Sequence, residues 1–307
     1  MSRANLEIAV VKYTGSGATS HKTDWTTLAP KFALLNTAGQ QAVIGMAHMR
    51  GKSFNPASTA ANIGDAITQI GAGGVVLGTS ASANADATAY YGLVLAARGS
   101  EAVYTGRYRG TGVAGNIQSG HFPHAPDIVL ANCSTSGIGG CVMRTQANAS
   151  TFCPTLTATN ALGTFITALL SDGISVGNSN YVNGASYTYD YLSLKAVTGA
   201  IAYGSFSCTG AQQSITGLGF APDCVIAKTS SQTTPTTGVM ATTDMITDGV
   251  SGMYLGTAAN PANAILSLDS DGFTVGASAS INESGKTTYW IAFKVGEFFV
   301  DLSRAAA

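Results

Sequence analysis

GTGVAG at 110–115 has the glycine spacing of a dinucleotide-binding loop, in which backbone N–H groups at a helix N-terminus hold a pyrophosphate. That chemistry needs an amphipathic helix directly after the glycines, whereas the following NIQSGHFPHAP contains two prolines. His121 and His124 could offer imidazoles to a metal, yet a zinc site needs three or four converging ligands. Asp269, Asp271, Asn282 and Glu283 carry oxygens of the kind Ca²⁺ takes, with Asp172, Asn178 and Asn183 as a weaker echo, but EF-hand spacing is missing. Serines and cysteines are plentiful, but there is no G-x-S-x-G elbow and no H-E-x-x-H. These residues therefore read as a non-enzymatic chain without a cofactor or metal. Tyr187, Tyr189 and Tyr191 fall on one face of a strand, with Tyr289 and Trp290 in a later one. Such a face either stacks on sugar rings or belongs to a core.

The elements that carry these residues repeat. Gly78, Gly177 and Gly276 are spaced by 99 residues, and so are Asn84, Asn183 and Asn282. Between them the chain reads GTSASAN, GNSNYVN and GASASIN. Upstream, KYTGSG at 12–17, RYRGTG at 107–112 and SFSCTG at 205–210 each precede a polar stretch and then a proline-led apolar run: PKFALLN, PDIVLAN and PDCVIAK. The repeating unit approaches the size of a small domain and far exceeds a solenoid unit. The expected architecture is all-β: three tandem antiparallel β-sandwich domains related by internal repeat, at 1–98, 99–198 and 199–307, the last with a C-terminal tail.

Within each copy the proline-led run reads as a strand, as do AVIGMAHMR at 42–50, GGCVMRT at 139–145 and GVMATT at 238–243. Asp172-Gly173 and Asp271-Gly272 mark turns in which glycine can take positive φ, and the repeating Gly and Asn positions are read as structural turns. NALGTFITALL at 160–170 and NIGDAITQI at 62–70 are the two stretches with helical spacing.

Lys and Arg total 15 against 16 Asp and Glu, a net charge of −1, and 37 residues are glycine. So weak a field disfavours capture of nucleic acid or anionic lipid. No run reaches the roughly 18 apolar residues of a membrane span, and the N-terminal IAVV is too short for a signal-peptide core. Synthesis in a cytosol is expected. The five cysteines, Cys133, Cys141, Cys153, Cys208 and Cys224, are confined to the second and third copies, so no disulfide is essential to the unit; a pair within 133–153 stays open.

GLGFAPDCVIAKTS at 217–230, followed by LDSDGFTVGASASINESGKTTYWIAFKV at 268–295, resembles a module of tailed-bacteriophage structural proteins. Gly219, Phe220, Pro222, Asp223, Val225 and Lys228 carry its first phrase; Asp271, Gly272, Phe273, Gly276, Asn282, Gly285, Tyr289, Phe293 and Lys294 carry the rest. The second copy keeps Phe122, Pro126, Asp127, Asp172, Gly173, Gly177, Asn183, Gly184 and Lys195; the first keeps Pro30, Gly78 and Asn84.

The resemblance implies a virion component made in the host cytoplasm, with a capsid decoration or accessory surface protein as the expected role. A tail-associated adhesin or carbohydrate-binding protein is the alternative. Expected partners are other virion proteins, the major capsid protein or head and tail proteins, with self-association open to it and direct nucleic-acid or membrane binding not expected. The stretches 22–29, 133–153 and 231–238 differ most among the copies and are read as contact regions. Trp25, an aromatic in a Thr-rich stretch, is the expected interface anchor.

Overall fold

The computed structural model describes residues 4–58, 62–72, 74–113, 115–117, 122–134, 140–148, 153–157, 163, 165–230 and 237–300. Strands dominate. The first stretch holds β1 (Leu6–Thr14), β2 (His21–Thr23), β3 (Pro30–Asn36), β4 (Val43–Met46), a 3₁₀ turn (Ala47–Met49), β5 (Ser53–Phe54), β6 (Ile67–Gly71), β7 (Gly74–Leu77) and β8 (Ala89–Ala97). The second holds β9 (Val103–Arg109), β10 (Asn116–Ile117), β11 (Ile128–Cys133), β12 (Val142–Thr145), β13 (Ile166–Leu170), β14 (Gly173–Val176) and β15 (Thr188–Leu194). The third holds β16 (Ile201–Ser207), β17 (Gln213–Thr216), β18 (Cys224–Thr229), β19 (Val239–Thr242) and α1 (Thr243–Thr247). It continues with β20 (Met253–Tyr254), β21 (Ile265–Asp269), β22 (Gly272–Val275), α2 (Ala279–Asn282), β23 (Thr287–Phe293) and β24 (Gly296–Phe298). Among the described residues no helix is long and apolar enough to cross a membrane.

The chain is all-β, with antiparallel sheets throughout. Larger sheets run β24-β1-β8-β3-β4-β5, β12-β11-β15-β9 and β16-β23-β18-β19-β20. Small sheets run β2-β7-β6, β10-β14-β13 and β17-β22-β21. The two stretches read as helical are corrected here: 166–170 is β13 and 67–71 is β6, while 158–162 and 164 lie outside the described residues. The cause is a register shift in each of these strands, between Ile67 and Gln69 and between Ile166 and Ala168, matched by one between Ile265 and Ser267. A bulge breaks the period of two, so Ile67 and Ile70 both face inward three residues apart, which mimics a helix. The short helices α1 and α2 have no counterpart in the sequence pattern. Thr242 caps α1 by accepting from Met245 N at 3.2 Å.

The larger sheets are apolar on both faces. In β3, Phe32 and Leu34 enter one large cluster, while Ala33 and Leu35 enter a smaller one with Ile67, Val75 and Leu77 of the small sheet. The division recurs in β11, where Ile128 and Leu130 face the large cluster and Val129 and Ala131 the local one. It recurs again in β18, with Cys224 and Ile226 against Val225 and Ala227. Each smaller cluster belongs to one stretch; the large one draws on all three. All five cysteines are buried, and none is joined in a disulfide.

Three backbone bonds join the stretches in rotation: Ala42 N to Leu255 O at 3.0 Å, Cys141 N to Pro56 O at 3.1 Å, and Gly238 N to Leu156 O at 3.1 Å. Each donor lies one residue before β4, β12 or β19. Polar side chains cross the same seams, Lys228 at the one between the second and third stretches and two carboxylates at the others. Asp248 takes Lys12 at 2.6 Å and the Tyr91 hydroxyl. Asp190, fully buried, accepts from Arg107 Nε at 2.7 Å and lies 2.9 Å from His48 Nε2. Burial pushes the Asp190 carboxyl up, but the hydrogen bonds of His48 and Arg107 outweigh it and hold the group below the usual carboxylate range. β24 lies along β1, and Asn5 exchanges side-chain bonds with Val300, donating at 2.9 Å and accepting at 2.8 Å.

After Cys224 and Ile226, the next inward position of β18 is Lys228, fully buried, which donates to Thr157 O at 3.3 Å. Asn36 and Asn132 hold the matching positions of β3 and β11. Burial pushes the Lys228 amine down to about 7. Between that value and the ordinary lysine range the unfolded chain holds the proton and the folded chain does not, so folding stability should rise as pH goes from about 7 to about 10. In Lys228→Met the rise should flatten, by a few kcal/mol at most over that window, as read from urea midpoints at a series of pH values. An unchanged slope would place the linkage elsewhere.

Candidate functional site

The repeating glycine and asparagine form one device, built three times. Asn84, Asn183 and Asn282 are all fully buried. Asn84 accepts from Ser16 N at 2.8 Å and donates to Ala18 O at 2.9 Å and Gly78 O at 2.7 Å. Asn183 accepts from Thr111 N and donates to Val113 O and Gly177 O, each at 2.8 Å. Asn282 accepts from Thr209 N at 3.0 Å and donates to Ala211 O and Gly276 O, each at 2.7 Å. Each carboxamide thus ties the loop after the opening strand to the glycine six residues upstream. The glycine is needed for close approach: a Cβ on Gly78 would sit 2.4 Å from Asp65 O, and one on Gly276 would sit 2.3 Å from Asn263 O.

Backbone bonds complete each loop pair. Gly15 N reaches Thr88 O and Ala87 N returns to Gly15 O; Gly110 N reaches Tyr187 O and Ser186 N returns to Gly110 O; Cys208 N reaches Lys286 O and Gly285 N returns to Cys208 O. The left-handed positions coincide, at Gly17, Gly112 and Gly210 (φ 65°, 73° and 76°) and at Ala87, Ser186 and Gly285 (φ 53°, 69° and 76°). Two copies therefore hold a non-glycine residue where only glycine is unstrained. Tyrosines buttress the first two from below. Tyr90 OH donates to Ala81 O and Tyr189 OH to Asn180 O, both at 2.7 Å, and Tyr13 and Tyr108 stack on them at 5.1 and 5.0 Å. GTGVAG supplies this loop in the second copy, with β10 after it rather than a helix.

The other motif residues are also structural. Asp223 pairs with Lys294 at 3.2 Å and Asp127 with Lys195 at 3.1 Å, tying the start of β18 and β11 to the end of the closing strand. The two-residue hairpin tips are Ser270-Asp271 and Ser171-Asp172, and Gly272 and Gly173 open the next strand. Asp271 accepts from Gly217 N at 3.1 Å and Gly219 N at 2.7 Å, while Asp269 accepts from Thr274 Oγ1 at 2.8 Å. With Asn282 committed to its clamp, these oxygens do not converge on a cation; among the described residues no cluster suits a metal.

Tyr189 and Tyr191 are buried in the second local core beside Tyr108 and Phe122, and Tyr289 and Trp290 are buried as well. Tyr187, the third of that set, is half-buried against the same core, so these aromatics pack mainly inward. Trp25 is half-buried, with its ring 5.1 Å from Tyr13. His124 lies 2.9 Å from Ser193 Oγ and 2.8 Å from Ser100 O. This contact, missed in the sequence, has the spacing of a nucleophile and base, but Ser193 is fully buried within β15, where no substrate carbonyl can reach it. His121 and most of 231–238 lie outside the described residues, as does part of 133–153.

Truncating one clamp should be costly. Asn183→Ala leaves Thr111 N, Val113 O and Gly177 O without their buried partner, and a loss of about 2–4 kcal/mol is expected in chemical denaturation. At the left-handed position Gly285→Ala should cost about 1 kcal/mol, since no atom lies near enough to clash and only the backbone conformation resists. Ala87→Gly should be neutral or stabilising for the same reason, as compared by melting temperature.

Neither a protein-family model nor a curated protein matches the chain.

Proposed function

We propose that the chain is a non-enzymatic structural protein of a phage virion, a capsid decoration or accessory surface protein. It consists of three tandem antiparallel β-sandwich domains, 1–98, 99–198 and 199–307, closed into a ring. The observation that carries this reading is the use to which the motif residues are put. Asp223, Lys294, Asp271, Gly276 and Asn282, which carry the resemblance to tailed-phage modules, are spent on holding loops and strand ends together. A scaffold needs this; a catalyst would direct some of its signature toward a substrate.

The ring is supported by the rotating bonds at 42–255, 141–56 and 238–156 and by the cluster shared among the three stretches. The C-terminal strand supports it too. Val197, in the link between the second and third domains, bridges to Ile201. Gly296, 99 residues later, bridges to Ile8, so the tail meets β1 where a further link would meet the next domain. The partners in this reading are the major capsid protein or other head and tail proteins, and the chain resides in the virion. The adhesin alternative would have to use the clamped loops, since the strand aromatics pack mainly inward.

Mass spectrometry and imaging of purified particles test the proposal. Hundreds of copies on the head fit a decoration protein, a handful at the tail tip would favour the adhesin, and absence from particles would defeat both. Trp25, as interface anchor, predicts that Trp25→Ala loses particle attachment by at least tenfold at a temperature where the variant is still folded, its packing on Tyr13 and the first local core lowering the melting temperature only in part. Unfolding without selective loss of attachment would make Trp25 a packing residue on Tyr13 alone.

A further inference from the structure

We infer that the outer edge of β9 is a slot for an extended segment of a partner chain, one that brings a carboxylate to Lys31. The slot stands on the differences among the three copies and does not depend on the virion reading.

In two copies the chain leaving a closing strand is laid on the edge of the next opening strand. Asp127 accepts from Ala196 N at 2.8 Å and pairs with Lys195 at 3.1 Å. Two residues past Lys195, Val197 exchanges both backbone bonds with Ile201, at 3.0 and 2.9 Å. Asp223 accepts from Val295 N at 2.8 Å and pairs with Lys294 at 3.2 Å. Two residues past Lys294, Gly296 lies antiparallel to Ile8 of β1. In both, a carboxylate grips the exit, a lysine on the leaving segment answers it, and the segment covers a strand edge.

The first copy departs from this. Lys31 stands where the others have Asp127 and Asp223, and Ala96 where they have Lys195 and Lys294. Without a carboxylate to grip it, the chain stays on β1: Ala96 and Ala97 pair with Glu7 and Leu6, and Arg98 N bonds Asn5 O at 2.9 Å. β9 is left as the edge of its sheet. Since Lys195 N bonds Ala102 O, alternation turns the N–H and C=O of Val103 and Thr105 outward, where no backbone partner meets them among the described residues. A cleft of about 480 Å³ lies there instead, with buried Val103 on its floor and Tyr104, Thr105, Lys31 and His48 around it.

The backbone groups of a bare edge accept extended chain largely regardless of its side chains. Charge then selects among such chains. In the sister copies the body supplies the acid and the segment the base, whereas here the body supplies Lys31. Among the described residues no carboxylate pairs with Lys31, and Glu101 of the link lies against Gly99. His48 is turned to Asp190 through Nε2 and brings no acid to the cleft. The complementary segment is therefore acidic two residues before its contact with Val103.

A synthetic peptide of residues 294–300 copies the strand that fills the sister slot on β1, and with Lys294→Glu it carries the acid that Lys31 calls for. Added to the purified full chain, the Lys294→Glu peptide should shift the amide resonances of Val103 and Thr105 and slow their hydrogen exchange. The unchanged peptide should bind there at least about tenfold more weakly. In Lys31→Glu the preference should reverse, with the unchanged peptide now the tighter, at an unchanged melting temperature. Silent Val103 and Thr105 amides, shifts confined to Leu6 and Ile8 where peptide displaces β24, or an unreversed preference in Lys31→Glu overturn the inference. Self-association of the chain that Lys31→Glu abolishes would seat a second copy in the slot and overturn the partner chain as its occupant. Each of these results leaves the virion reading standing, because that reading is decided on particles.

Discussion

A strand buried on both faces must find every backbone partner within its own sheet and carry apolar side chains at consecutive positions. β3, β11 and β18 live under that constraint, since one face of each closes a local core and the other enters the shared cluster. Their flanking strands supply the hydrogen bonds, which is why each lies inside its sheet. The small sheets and bulged hairpins cover the outer faces. Remove the shared cluster, and each large sheet would expose a face of Leu, Ile, Met and Phe to water.

Apolar contact alone would hold three sheets together without fixing how they meet. The seams supply the register. Three backbone bonds recur at matching places, while the side chains around them differ: Lys12 and Tyr91 hold Asp248 at one seam, and His48 and Arg107 hold Asp190 at another. Asp190 is the more demanding arrangement. It is fully buried, and removing either partner would leave a charge poorly compensated in an apolar surround. Lys228 shows the alternative solution, in which burial drives the amine toward its neutral form.

Where the three copies face outward they share a backbone rather than a sequence. Asn84, Asn183 and Asn282 make the same connections although the loops they hold read SGATS, TGVAG and TGAQQ. The residues needed for shape repeat at a fixed interval, and those free to vary lie between them. In the third copy Gly285 relieves a left-handed position that Ala87 and Ser186 occupy under strain.

The β class and the interval of 99 residues at glycine and asparagine were legible in the sequence, because they rest on local geometry and on patterns that repeat along the chain, but not that each asparagine bonds the glycine six residues before it. The sequence also marked Pro-Asp and Phe-Lys without telling that Asp223 and Lys294 meet. The spacing of Ile67 and Ile70 misled, since a bulge and a helical turn can place the same side chains on one side. Whether Tyr189 and Tyr191 face sugar or core was undecidable from a period of two, which says that residues share a face but not what lies against it. It took the packed sheets to reveal that the outer face of each large sheet closes a local core while the inner face enters the cluster shared by all three stretches. Likewise, the meeting of Asp190 with His48 and of Asn5 with Val300 joins residues far apart in the chain, and local pattern holds no record of such contacts.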